Sequence, residues 1–479
     1  MSGRGSERFQ QPFPVRPPMN SQNSHSVPST PHQHPRDLTF RSRTPSPNGG
    51  LGSHSPRSVS SEANGALPSL RPYRCKYETA QAFGRRRIPY ESADALEPAP
   101  EKPKVSLDPH EDKKLSGDMR ELYDRILPSK ESEERRRKLV EKLERLLRDQ
   151  WPGNEFKVHV FGSSGNLLCT TESDVDICIQ TPMRQLESVH MLADLLAKRG
   201  MSKVVCVATA KVPIVKFWDP ELVLACDVNV NNTLALDNTR MIKTYVQIDE
   251  RVRPLTMIVK HWTKQRILND AALGGTLSSY TWICMVLNFL QTRDPPILPS
   301  LHEMSPRKDS TEANAAYDFY DDLDALRGFG SANTESIGQL LFHFFRCYGH
   351  ELDYQASVVS VRQGRLLTRQ EKGWEFTGGS KEGRWRLCVE EPFNTSRNLG
   401  NSADDYAFRG IHLEIRQAFD YLADGGKLEK ACEQFEYPQE TERPTFKRPP
   451  PAPKPTLTHS TSPSRRGGRG GGSHRGGRN

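Results

Sequence analysis

Apolar positions along the chain keep two different rhythms, and each change of rhythm marks a change of element. Leu139, Leu143, Leu146 and Leu147 recur at three- and four-residue steps, which predicts a helix over 131–149, preceded by another over 111–127. The period then drops to two. Val175, Ile177 and Ile179 alternate with Asp174, Asp176 and Cys178, the pattern of a half-buried strand. Strands are predicted over 156–161, 174–180, 204–208, 212–217 and 222–230, with a helix at 185–199 among them. From Arg253 onward the helical rhythm returns, over 253–267, 276–292, 334–348 and 404–423. A small mixed sheet with helices, followed by a helical body, makes this an α+β protein.

Both ends of the chain break the rhythm. Residues 1–105 are rich in Ser, Pro, Arg, Asn and Gln, with runs such as Thr44-Pro45-Ser46-Pro47-Asn48-Gly49-Gly50 that hold too little apolar surface to offset ordering entropy. Residues 439–479 pass from Pro449-Pro450-Pro451 into an Arg-Gly run. Both are expected to be disordered tails. Charge follows the same division: the formal net charge is +8, yet residues 1–104 and 439–479 each carry +7, so the body between them is −6. Basicity confined to flexible tails suits non-specific attraction to RNA phosphates, or to RNA-decay partners, rather than a rigid basic face.

Nine cysteines occur without a Cys-x-x-Cys pair or zinc-like spacing, which points to a reducing compartment. No secretory leader is visible, and the longest apolar stretch, about Leu277 to Leu290, is too short and too interrupted to span a bilayer. The expectation is a soluble cytoplasmic monomer, with nuclear import through Arg85-Arg86-Arg87 as the alternative.

The candidate chemistry sits where the strand rhythm begins. Asp174 and Asp176 are two apart on a predicted strand and so project from one face. Two adjacent carboxylates repel unless a shared proton or a divalent cation lies between them, and the upstream turn Gly162-Ser163-Ser164-Gly165 favours the cation. Such a turn offers N–H groups and hydroxyls to phosphate oxygens. Asp227, in the β-prone run Val223 to Val230, supplies a third acid on a strand able to pair beside the first. Three carboxylates can hold two metals, the arrangement that suits in-line displacement at phosphorus.

Gly162-Ser163, Asp174-x-Asp176 eleven positions after that serine, and the distant Asp227 resemble the nucleotidyltransferase signature of the DNA polymerase β superfamily. Lys260-His261-Trp262-Thr263-Lys264, Gly275-Thr276-Leu277-Ser278-Ser279-Tyr280, Ser336-Ile337-Gly338-Gln339-Leu340-Leu341 and Glu391-Pro392-Phe393 narrow the resemblance to cytoplasmic terminal uridylyltransferases and their poly(A) polymerase relatives, over residues 110–425. The resemblance implies a fungal-type mRNA 3′-tailing enzyme. It implies a nucleotidyltransferase lobe over 131–252 and a helical central lobe over 253–430. The helix of 106–130 would join the central lobe, and a poly(A)-polymerase-associated region would cover about 334–393. It also implies a two-metal Mg2+ or Mn2+ site on Asp174, Asp176 and Asp227, with RNA 3′ ends and ribonucleoside triphosphates as substrates.

For the nucleotide, Gly162, Ser163, Lys260, Lys264 and Ser279 would meet the phosphates, and Tyr280 would stack on the base. Asn232, Asn238 and Thr239 match positions near the ribose. At the base edge the chain departs from the uridylyltransferases, with Arg397 where they carry a histidine. An arginine only donates, which fits the adjacent O2 and N3 acceptors of cytosine, while Glu391 would accept from N4 and Asn394 lies in the same segment. Template-independent addition of CTP and/or UTP to RNA is therefore expected. Adenylyl transfer and an inactive RNA-binding scaffold are the alternatives.

Overall fold

The computed structural model of the chain describes residues 77–79, 102–271, 275–304, 319–375 and 386–436. The expected disordered tails, apart from 77–79 and 102–105, and the basic run Arg85–Arg87 lie outside the described residues.

A six-stranded mixed sheet runs in the order β1-β4-β5-β6-β3-β2. Its strands are β1 (Glu78–Thr79), β2 (Lys157–Phe161), β3 (Val175–Gln180), β4 (Ser202–Val207), β5 (Ile214–Asp219) and β6 (Leu224–Val230). Helices α1 (Pro109–Ile126) and α2 (Lys130–Gln150) precede β2, α3 (Gly162–Gly165) follows it, and α4 (His190–Lys198) precedes β4. The leucine stripe of α2 does what its spacing predicts. Leu139, Leu143 and Leu147 are fully buried against Val175, Ile177 and Ile179 of β3, Val215 and Phe217 of β5, and Leu192, Leu195 and Leu196 of α4. Truncating Leu143 to alanine would cost about 2–5 kcal/mol. Since this face of the sheet is covered, the alternate residues of every strand project from the other face.

The second core is helical. α5 (Leu234–Ile248), α6 (Val252–Gln265), α7 (Ser279–Gln291), α8 (Leu323–Leu326) and α9 (Ile337–Arg346) lead to a hairpin of β7 (Ser357–Ser360) and β8 (Arg365–Thr368). α10 (Arg369–Lys372), α11 (Asp405–Ala423) and α12 (Leu428–Ala431) complete the chain. Trp262 of α6 lies edge-on to Trp282 of α7 at 5.5 Å and to Phe345 of α9 at 4.8 Å, all three fully buried. α1 joins this core rather than the sheet. It crosses α9 so closely that a Cβ at Gly338 would lie 2.8 Å from Ser116 Oγ, and the Gly338 N–H donates to that hydroxyl at 3.1 Å.

Several elements were not anticipated. β1 falls inside the expected disordered segment, where Glu78 and Thr79 pair in parallel with Val205 and Cys206. The hairpin β7–β8 lies in a stretch assigned to no element. α5 occupies a stretch assigned to no element, although Asn238 and Thr239 within it match positions near the ribose. Its buried Met241, Ile242 and Tyr245 belong to the helical core.

Candidate functional site

The acids are placed by sheet register. β3 pairs in parallel with β6, and Asp176 stands opposite Asp227; on the far side of β6, Lys216 of β5 also stands opposite Asp227. Asp174 precedes β3 by one residue, at the level of Ala225, because Val175 pairs with Cys226. All three acids are half-buried on the uncovered face. Burial and the nearby Asp227 charge push the Asp174 carboxyl up to about 7, against the pull of Lys216, Lys264 and Arg136. Lys216 Nζ donates to Asp227 Oδ2. Among the described residues no three His, Cys, Asp or Glu side chains already close on one another as a ligand cage, so the acids share a face without forming a preformed shell.

The Gly162 turn packs directly on this row. Gly162 has φ +61, where a side chain is strained, and a Cβ there would collide with the Asp176 carboxylate. Its N–H donates to Thr239 Oγ1 at 2.9 Å, and that hydroxyl donates to Ala235 O at 2.7 Å. Thr239 thus fixes the turn from beneath. Ser163, half-buried, follows Gly162 in α3.

The loop from Asn166 to Ser173 is held from both cores. Arg136 of α2, only 7 % exposed, donates to Thr170 O at 2.9 Å, Thr171 O at 3.3 Å, Ser164 Oγ at 3.2 Å and Asp174 O at 3.4 Å. From α6, Arg253 donates to Leu167 O at 2.8 Å and Lys260 to Leu168 O at 2.6 Å. Lys264 pairs with Glu172 at 3.1 Å. Both lysines expected at the phosphates therefore face the loop that leads into Asp174. Burial lowers Lys260 to about 8.

At the other end, Tyr280 of α7 is half-buried and its hydroxyl donates to Asn238 Oδ1 at 3.1 Å and Glu391 Oε1 at 3.0 Å. With one proton to give, that hydroxyl donates to only one of the two at a time, yet it brings together the expected stacking residue, one ribose asparagine and the acid of the base segment. Asn232 stands apart from that trio, in the connection from β6 to α5, and Ser279 is the first residue of α7. Glu391 is buried, and its Oε2 also accepts the N–H groups of Phe393, at 3.0 Å, and Asn394. Much of its acceptor capacity is spent on its own turn. The exposed Asn394 side chain accepts from Ser396 Oγ at 2.8 Å. Arg397 is half-buried, its charge felt by Glu391 and Tyr280, and among the described residues its guanidinium has no hydrogen-bond or ion-pair partner.

Two contributors escaped the sequence reading. Arg136 sits in a run of charges that reads as a solvated face, yet its spacing of three and seven from Leu139 and Leu143 sets it on the buried stripe. Lys216 interrupts the apolar run Ile214-Val215-Lys216-Phe217-Trp218, and a lone lysine there is itself a signal.

Comparison with known proteins gives this geometry its context. Residues 115–247 match the central palm domain of mitochondrial-like poly(A) RNA polymerases, and residues 336–397 match the Cid1 family of poly(A) polymerases. Poly(A) RNA polymerase cid13 of Schizosaccharomyces pombe is 45 % identical over 372 residues, covering 77 % of this chain and 64 % of its own. Poly(A) RNA polymerase cid11 of the same organism is 43 % identical over 330 residues, covering 68 % and 67 %. The chain belongs to the Cid1 family. It spans about two thirds of the length of those two relatives. Among solved structures, Cid1 in complex with its short product ApU matches with a TM-score of 0.60 at 27 % identity, over 68 % of this chain and 99 % of that one. The Cid1 poly(U) polymerase with Mg 3′-dATP bound matches at 0.59 and 28 %, over 67 % and 99 %. The family thus holds proteins named for both A and U addition.

Proposed function

We propose that this chain adds ribonucleotides to RNA 3′ ends without a template, and that it prefers pyrimidines, CTP and/or UTP. The observation that carries the transferase reading is the row of acids: Asp176 and Asp227 face each other across parallel strands, Asp174 lies one step along, and the Gly162 turn abuts Asp176. Carboxylate oxygens are the donors that Mg2+ and Mn2+ take, and the donor set fits them. Divalent metal held there would supply neutralisation of the triphosphate and acidification of the RNA 3′-hydroxyl. The relative bound to Mg 3′-dATP and the one bound to ApU support both substrates.

The chain's own groups do the rest. The Ser163 N–H and hydroxyl face the phosphates, the Gly162 N–H being taken by Thr239, and Lys260 and Lys264 give them positive charge. Asn238, joined to Tyr280 through its hydroxyl, faces the ribose. The Tyr280 ring carries the base. Arg397, without an ion-pair partner among the described residues and beside Glu391, donates to the O2 and N3 of cytosine or to the O2 of uracil.

A labelled oligoribonucleotide incubated with each NTP separately, with Mg2+ or Mn2+ and with chelator, tests the reading. Metal-dependent extension with CTP or UTP above ATP is expected. Extension with ATP alone would overturn the base assignment, and no extension with any NTP would favour the scaffold.

A further inference from the structure

The uncovered face does not end at the acids. One row along from the Asp176–Asp227–Lys216 line, Trp218 of β5 stands opposite Ala225 of β6, which lies at the level of Asp174. Three features set Trp218 apart. It projects on the face opposite the core-facing Val215 and Phe217, and it is half-buried. Its indole N–H has no hydrogen-bond partner among the described residues. The register of β4 against β5 slips between Ser202 and Val205, and within that bulge Lys203 adopts φ +51, a conformation costly for a residue with a side chain. The result is a lysine ammonium over the Trp218 ring, 5.8 Å from its centroid.

An aromatic ring beneath an exposed lysine is a pairing that suits single-stranded nucleic acid: the lysine swings to an adjoining phosphate and the ring takes the base. The residue paired with Trp218 on β6, at the level of Asp174, is Ala225, whose side chain is a single methyl. Trp218 is two strand spacings from the level of Asp174, roughly 10 Å, the span of about one nucleotide. Resting on the transferase reading above, we infer that Trp218 and Lys203 form the seat for the 3′-terminal segment of the RNA acceptor. A base of that segment stacks on Trp218, and its 3′-hydroxyl is directed across Ala225 to the acids. The seat is separate from the nucleotide site, whose base end lies at Tyr280 and Arg397 on the helical core.

The test compares wild type with Trp218→Ala, Trp218→Phe and Lys203→Gln in the full chain, using a fluorescent oligoribonucleotide for binding and for extension, with thermal melts as the control. Trp218→Ala should raise the RNA Kd and KM by roughly 5- to 150-fold, the usual range for one lost base stack. The NTP Kd, measured without RNA, should stay unchanged. Trp218→Phe should recover most of the affinity. Lys203→Gln should lose less and flatten the salt dependence of binding by about one unit of slope. A Trp218→Ala protein that melts like wild type with unaltered RNA Kd and KM would overturn the inference. Should that variant fail to fold, unchanged affinity and salt slope in Lys203→Gln would overturn it instead. Lack of extension by wild type would sink the transferase reading alone, since the binding comparison needs no turnover.

Discussion

The acid row and the base segment are built by opposite means. At the acid row, position is a property of backbone pairing: β3 is bonded to β2 on one side and β6 on the other, so its side chains cannot move without the sheet. At the base segment, residues 389–400 make only isolated bridges, Val359 to Val389 and Glu390 to Asn398. Beside a few main-chain bonds, side chains hold it. Asn398 Oδ1 accepts the N–H groups of Val389 and Gly400, each at 2.9 Å; Lys372 grips Glu390 at 2.6 Å; Glu391 gathers its own turn. A sheet register fixes chemistry, whereas a loop pinned by replaceable side chains lets base choice change one residue at a time.

The sharpest break is at the acid row. Asp174→Ala or Asp176→Ala should lower transfer by at least roughly 10²–10³-fold, the scale of losing one preorganised charge in an active site. The melting temperature should not fall, because the change relieves carboxylate repulsion. Asp227→Ala should lose turnover more than NTP affinity. A double Asp174/Asp176 variant that still extends the labelled oligomer would refute the assignment.

The base segment should respond in kind rather than in amount. Arg397→His should shift the CTP-to-UTP ratio of kcat/KM toward UTP by about 5- to 150-fold, with ATP use less affected. Competition with equal NTPs measures it. An unaltered product spectrum would mean that Arg397 does not read the base.

Between these extremes lies Lys260, whose proton leaves near pH 8 because burial disfavours the charged form. Its positive charge attracts triphosphate only below that pH, so kcat/KM for the NTP should fall by up to about tenfold per pH unit above 8. Lys260→Arg should flatten the decline. The smallest effect is expected from Tyr280→Phe, which keeps the ring and deletes the bonds to Asn238 and Glu391. A raised NTP KM of roughly fivefold, about 1 kcal/mol, would match the loss of such a bond.

How much of this could be read from residues alone follows the same division. Asp174, Asp176 and Asp227 were legible because alternation in a strand reveals its face, and the pairing of their strands followed from β-prone composition. The helix α5 was not, because Asn231-Asn232-Thr233 reads as a loop, although Met241, Ile242, Tyr245 and Val246 carry helical spacing. Side-chain destinations were the least legible. Nothing local told that Thr239 would brace the Gly162 turn across 77 residues of chain, or that the Glu391 carboxylate would be taken up by Tyr280 and its own backbone. Lys203 was hidden for another reason: a bulge is a property of two strands at once.

The short strand β1 has a consequence for how the protein behaves in solution. Glu78 and Thr79 satisfy the rim of β4 that would otherwise present unpaired N–H and C=O groups beside Val205 and Val207. Such a rim is a template for pairing with another chain. A version trimmed to begin at residue 102, the natural choice for anyone discarding the Ser- and Pro-rich leader, would bare it. The trimmed protein would then be open to self-association through its sheet, a pairing that Glu78 and Thr79 block.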